Sequence, residues 1–268
     1  MYKHKLGVSY SPFLAADNAE EGFRLFSSIG FDTTFTMYTP EKGASEIFTF
    51  KQAAQKSGIV IDSLHAPFHR INDMWSDDAT IGGTCLRELC DCIEACKSFD
   101  IPTAVVHLSS GENAPHINDI GHSRFDKLVE CAVKNGVTIA FENQRKIANL
   151  AFVLELYKDV PNVGFCWDVG HEACFARGIE FMPLFGDRLV YTHIHDNFAV
   201  YNEDSHIIPF DGVIDFEKVA RHIRNSNYNG SLTLELSCKA AEGMSPSEFY
   251  SRAYKAATKI RDMIEKSE

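Results

Sequence analysis

The sequence predicts an α/β fold of the (β/α)8 (TIM) barrel class, a single domain over residues 1–268, and three observations predict it. Eight short apolar, β-branched runs alternate with amphipathic stretches from end to end. The longest connections, Phe68–Gly82, Ser109–Gly121 and Asp196–Asp211, all follow strands rather than helices. Several apolar runs stop abruptly at a carboxylate or an imidazole. Alternation of this kind describes parallel strands wrapped by helices, with the functional face at the strands' C-terminal ends.

The expected strands are Leu6–Tyr10, Asp32–Met37, Ile59–His65, Thr103–Leu108, Val137–Glu142, Val163–Asp168, Leu189–His193 and Leu232–Glu235. Helical stretches with apolar residues at three- and four-residue steps fall near 17–29, 44–57, 83–98, 122–135, 148–158, 172–177, 215–225 and 246–265. The last is the best marked: Ser245-Pro246-Ser247-Glu248 reads as a capping box with proline at the first helical position. Phe249, Ala253, Ala256, Ile260 and Ile264 follow on one face. Gly30, Gly58 and Gly136 stand between helix and strand, where terminating glycines belong. No linker, low-complexity tract or charged tail interrupts the series.

At 268 residues and 45% hydrophobic the chain is long enough to bury a large core. Acidic residues number 37 against 26 basic, a balance of −11 that argues against nucleic acid or an anionic membrane as partner. The opening MYKHKLGVSYSPF enters a strand early and shows no apolar signal region, so a cytoplasmic location is expected, with no membrane contact. The eight cysteines include no CxxC pair, and Cys85, Cys92 and Cys96 recur at helical spacing beside Leu89 and Ile93, which describes free core thiols.

Glu142 in VTIAFEN, Asp168 in VGFCWDVGH, His193 in LVYTHIHDN and Glu235 in SLTLELS each end a separate predicted strand. A charge that closes a run of Val, Ile, Leu and Phe is costly in a core unless it is paired or metal-bound, so four of them on one face define a divalent metal site. His65 in LHAPF, His107 in VVHLSS, His171, and Asp204 with His206 in EDSH fall on the same face. Nitrogen and oxygen donors of this kind suit zinc, manganese, cobalt or iron. Taken singly, each has a plainer reading: His65 as a strand cap, His107 as a core histidine, His195 and His206 as solvated. Cys166 reads as packing. Trp75, in the long connection after His65, is the better candidate for a pocket-lining ring, because alternation turns Trp167 away from Asp168.

LHAPF, VVHLSS, FEN, CWDVGH, THIHDN, the DSH of EDSHIIPFDGVIDF and LELS, in that order and spacing, resemble the xylose-isomerase-like barrels across nearly the whole chain. That superfamily includes sugar isomerases, ketose 3-epimerases and the type IV apurinic endonucleases. In its sugar-acting branch the resemblance implies one divalent ion (manganese, zinc or cobalt) on Glu142, Asp168, His193 and Glu235, with both glutamates also moving protons. His171 would contact substrate, and His65, His107, Trp75 and His206 would line the same pocket. In the endonuclease branch it implies three zinc ions on His65, His107, Glu142, Asp168, His171, His193, Asp204, His206 and Glu235. His193 is the preferred ligand of THIHDN, three residues before an aspartate, with His195 as the alternative. DVGH and PFDG depart from the endonuclease pattern.

The chemistry then expected is isomerisation or epimerisation of a sugar or sugar phosphate through an enediolate, one base removing a proton and another returning it. The alternative is zinc-dependent phosphodiester cleavage, against which stand the acidic balance and the isolation of Lys42, Arg70, Arg145 and Lys146 near the rim. A non-catalytic metal or sugar sensor has no feature of its own in support. A small-molecule sugar is the expected partner, and the sequence leaves homo-oligomerisation open.

Overall fold

The computed structural model describes residues 2–11 and 18–266, apart from the side chain of Cys238; position 17, where the first predicted helix starts, lies outside these residues. Eight parallel strands run β1 (Leu6–Ser9), β2 (Thr33–Met37), β3 (Val60–His65), β4 (Thr103–Val106), β5 (Thr138–Glu142), β6 (Val163–Asp168), β7 (Leu189–His193) and β8 (Leu232–Leu234). Each pairs with its neighbour in sequence, and β8 pairs with β1. Closure is completed beyond the end of β7: the Ile194 N–H donates to the Thr233 carbonyl at 2.8 Å, and the Glu235 N–H donates to the Ile194 carbonyl at 3.1 Å. The sheet is therefore a barrel, the predicted (β/α)8 class.

The enclosing helices are α1 (Ala19–Ile29), α2 (Gly43–Ser57), α3 (Ala79–Ser98), α4 (Asp119–Asn135), α5 (Ile147–Leu156), α6 (Val169–Phe175), α7 (Met182–Phe185), α8 (Phe216–Arg224) and α9 (Pro246–Glu265). Most of their starts follow side-chain caps. Asp78 accepts from the Thr80 and Ile81 amides and starts α3 four residues before the predicted 83, and Asn118 accepts from Gly121 and starts α4 at 119 rather than 122. Ser245 caps α9 by accepting from Glu248, and Phe249, Ala253, Ala256, Ile260 and Ile264 are all buried. The helix expected at 172–177 begins at Val169, because Asp168 ends β6 and caps α6 at once. The one-turn α7 and 3₁₀ turns at Ile71–Trp75, Gly186–Arg188 and Cys238–Ala241 carry no periodicity legible in sequence.

The main core fills the annulus between strands and helices, where fully buried Phe23, Phe26, Phe125, Phe165 and Phe249 each contribute roughly 1.5–3 kcal/mol by leaving water. A second, small cluster of Val105, Ala140, Cys166 and Tyr191 fills the barrel's interior beneath the strand ends. Cys166 thus packs inside the barrel, where burial pushes its thiol well up. The seven cysteines whose side chains are described are all free. Register slips between Thr34/Phe35 and β3 and between Phe165/Cys166 and β7, leaving Asp62 and Val190 without Cα partners; such bulges re-aim side chains near barrel rims. Among the described residues no helix is long and apolar enough to cross a membrane.

Candidate metal and substrate site

β5 and β6 each end in a buried carboxylate, Glu142 and Asp168, and β7 in His193; Glu235 follows β8 directly. Potential ligand atoms of these four residues lie within 4.8 Å of one another. His193 Nδ1 is their centre, 3.1 Å from Glu142 Oε1, 3.1 Å from Glu235 Oε2 and 4.0 Å from Asp168 Oδ2. Its ring is held by stacking on Phe35, with centroids 4.8 Å apart. Asp168 is fixed through its main chain, which exchanges two 2.8 Å hydrogen bonds with the Asn143 side chain. Its Oδ1 accepts from the His171 amide at 2.6 Å.

Two further donor groups adjoin this one. His65 Nε2 and His107 Nε2 lie 3.2 and 2.7 Å from Glu142 Oε2, so both oxygens of Glu142 are engaged. His171, His195, Asp204 and His206 form the other group: Asp204 Oδ2 lies 3.0 Å from His171 Nε2 and 2.9 Å from His206 Nε2, and the His195 and His206 rings stack at 3.9 Å. His195 Nε2 also reaches Asp168 Oδ1 at 3.1 Å. The DVGH sequence has a local reason, since a Cβ on Gly170 would run into the His195 ring. His193 therefore sits among the four strand-end donors and His195 in the neighbouring group.

Electrostatics show what this arrangement lacks. Burial would raise the Glu142 carboxyl, but the charges of His107 and His193, with hydrogen bonds from His107 and His171, hold it well below the usual carboxylate range. Glu235 and Asp204 are likewise held down, against burial, by His193 and His206 and by His171 and His206 respectively. Burial would lower the imidazoles, yet the facing carboxylates push His171 and His193 well up and His206 to about 9. His107 is instead lowered, burial outweighing Glu142. Protons on imidazole thus carry the positive charge that the carboxylates require.

Asp168 Oδ2 is buried and has no hydrogen-bond partner. An orphan carboxylate oxygen among converging nitrogen and oxygen donors is what a divalent cation satisfies, and the residues fit such an ion. Glu142, Asp168, His193 and Glu235 would hold it.

The donors open into a cavity of about 190 Å³ lined by His65, His107, Glu142, His171, Asp204, His206 and Glu235, together with Phe68, Ser110, Gln144, Arg145 and Phe175. Trp75 is not among them. The loop carrying it folds into a 3₁₀ turn, its Nε1 donates to the Leu108 carbonyl at 2.7 Å, and its ring packs on Phe125, 3% exposed. The expectation that Trp75 lines the pocket is therefore corrected: a ring with its one donor satisfied inside the core faces no ligand. Trp167 also points outward, donating to Glu172 at 2.9 Å.

Gln144 and Arg145 are site residues that the sequence reading passed over or left on the rim. Gln144 Nε2 lies 3.0 Å from His171 Nδ1 and 3.3 Å from His107 Nε2; its place two residues after Glu142 was the available signal. Asp196 was also missed. Buried at the end of the β7 segment, it accepts from the amides of Asn197, Phe210, Gly212 and Ile214 at 2.9–3.0 Å. That anchors the long connection bearing Asp204 and His206.

Carboxylates and imidazoles from the strand ends of a (β/α)8 barrel thus converge on one cavity, in groups that could hold a metal ion. The chain belongs to the xylose isomerase-like TIM barrel family, whose model matches residues 19–260. It is 30% identical over 186 residues to the uncharacterized protein y4fM of Sinorhizobium fredii, a match covering 64% of this chain and 58% of that one. It is 26% identical over 189 residues to the uncharacterized protein MJ1311 of Methanocaldococcus jannaschii, covering 64% and 63%. These matches thus span less than two thirds of either relative.

Among solved structures the fold is similar to a D-tagatose 3-epimerase-like protein, with a TM-score of 0.73 at 20% identity, covering 98% of each chain. It is also similar to a D-psicose 3-epimerase solved in the presence of D-fructose, with a TM-score of 0.76 at 17% identity, covering 97% of this chain and 99% of that one.

Proposed function

We propose that the protein is a divalent-metal-dependent isomerase or epimerase of a small sugar or sugar derivative. The observation that carries this reading is the unequal state of its two glutamates around one ligand set. Glu142 has both oxygens engaged by imidazoles and is completely buried, whereas Glu235 offers His193 a single oxygen and is 18% exposed on the cavity side. Glu235, with one oxygen facing His193 and the other unengaged, is placed to take a proton from a carbon held in the cavity. Glu142 is suited to hold the ion and to exchange a proton from its own side. His171 and Gln144 line the wall between them and would orient substrate hydroxyls. A bound divalent ion supplies the Lewis acidity that stabilises negative charge developing on a sugar carbonyl and its neighbouring hydroxyl. Solved structures of like fold are named as epimerases of ketoses, which supports this class of substrate.

One observation favours a second reading, phosphodiester cleavage at a multi-metal centre: four donor groups, three of them sharing residues, rather than one, adjoin the cavity. Counting bound ions in protein loaded with manganese, cobalt or zinc, and assaying solvent-deuterium incorporation into a panel of ketoses and aldoses, separates the two. One ion with deuterium in the sugar supports the isomerase. Three zinc ions with cleavage of abasic DNA and no exchange into sugar would replace it.

A further inference from the structure

We infer that Arg145 is a specificity residue that reads an anionic oxygen group, a phosphate or a carboxylate, at the end of the substrate away from the metal donors; this rests on the sugar isomerase reading. Among the described residues, Arg145 is the only arginine or lysine lining the cavity. Its guanidinium lies over the Phe175 ring, Cζ 3.6 Å from the centroid, and its Nε donates to Asn202 Oδ1 at 2.7 Å. Asn202 is held in turn, its amide donating to the Cys174 carbonyl at 3.2 Å and its side chain to Glu112. Stem and inner edge are thus fixed. The two Nη groups have no hydrogen-bond partner and no carboxylate within ion-pair distance among the described residues, while most other cationic side chains near the strand ends are spent. Arg70 pairs with Asp73, and Lys146 bonds the Ala114 and Pro115 carbonyls.

Phe175 also stacks on His171, centroids 4.8 Å apart, so the guanidinium stands one aromatic ring away from a metal-site imidazole. A pre-oriented fork with a free outer edge is what bidentate recognition of phosphate or carboxylate requires. One such fork in a cavity of about 190 Å³ fits one terminal anion on a monosaccharide-sized molecule rather than a polynucleotide, which needs several phosphate contacts. Ser110, whose hydroxyl has no hydrogen-bond partner among the described residues, lines the same cavity and is a second donor for that group.

The test compares metal-loaded wild type, Arg145→Gln and Asn202→Ala on ketose phosphates, sugar acids and the matching neutral ketoses, read by solvent-deuterium exchange, with thermal shift by inorganic phosphate and by acetate as an activity-independent arm. In wild type the anionic substrates should be preferred. Arg145→Gln should raise KM for them by roughly 10- to 100-fold, the worth of a charged hydrogen-bonded contact, while kcat and the neutral sugars change little. Asn202→Ala frees the loop but keeps the charge, and should retain most of the preference. Preference for phosphates over acids, or the reverse, together with which of the two probe ions stabilises wild type, identifies the group read. Equal loss on neutral and anionic sugars in Arg145→Gln, or equal stabilisation of wild type and Arg145→Gln by both probe ions, would overturn the inference and leave the isomerase reading standing. Absence of exchange into every sugar would count against the isomerase reading alone, because the ion-binding arm still decides the role of Arg145.

Discussion

At the lower end of the barrel Asp62 receives hydrogen bonds from neutral hydroxyls, Tyr191 and Ser231, each at 2.7 Å. At the upper end Glu142, Asp168 and Glu235 face imidazoles, and one oxygen of Asp168 accepts no hydrogen bond. Asp62 is pushed up by burial, whereas Glu142 and Glu235 are driven down against it. Both ends spend a polar network on a carboxylate, but only the upper one leaves charge that the protein's own hydrogen bonds do not settle. A carboxylate satisfied by hydroxyls braces the barrel; one facing imidazoles, with an oxygen that accepts no hydrogen bond, is one that a cation would satisfy.

The largest expected effect separates the two ends directly. Glu235→Gln should lower turnover by roughly 10²- to 10⁴-fold with metal content retained, the range of a lost acid–base group. Asp62→Asn should leave turnover within about twofold and cost on the order of 1 kcal/mol in unfolding, as for a neutral hydrogen bond. Kinetics, metal analysis and denaturant melts on the two variants would break the comparison if Asp62→Asn proved the more damaging to turnover.

Asp168→Asn sharpens it. Removing a carboxylate oxygen that has no hydrogen-bond partner should weaken metal binding by 10-fold or more while changing the stability of the metal-free protein less, because an amide still caps α6. Titration calorimetry with manganese and melts in chelator measure both. A large loss of metal-free stability would show that the carboxylate is already satisfied.

The pH dependence of metal-free protein follows from the raised imidazoles. His206, near 9 when folded against 6.5 ordinarily, contributes stability that is fully present below 6.5 and is lost as pH rises through about 9; His171 and His193 act in the same direction. Glu142, Glu235 and Asp204, all depressed, contribute stability present above the ordinary carboxylate range and lost as pH falls below it. Protein stripped with chelator should therefore lose melting temperature between pH 7 and 9.5, and metal loading, which releases those protons, should flatten the loss. Parallel curves with and without metal would contradict this.

The smallest effect concerns Trp75. Trp75→Phe should cost about 1 kcal/mol for the lost bond to the Leu108 carbonyl and leave KM unchanged.

The strands were legible because each is a continuous apolar run with a chemical full stop: Val163–Asp168 and Leu189–His193 match their predicted bounds. Legibility failed where one residue serves two ends or where partners are distant in sequence. Asp168 closes a strand and opens a helix, which hid the start of α6. Trp75 looked exposed because nothing local shows that its loop returns to Leu108, 33 residues on. Asp196 looked like one more acidic residue, since the amides it gathers, as far as Ile214, are 18 residues away.

Glu142, Asp168, His193 and Glu235 are proposed to hold a divalent ion beside which Glu235 moves a proton on a sugar. The most direct measurement is deuterium uptake from heavy water into the sugar by metal-loaded wild type and Glu235→Gln, with bound metal quantified in the same samples. The account predicts exchange at the reacting carbon for wild type and its loss in Glu235→Gln at equal metal occupancy. Undiminished exchange in a fully loaded Glu235→Gln would contradict it.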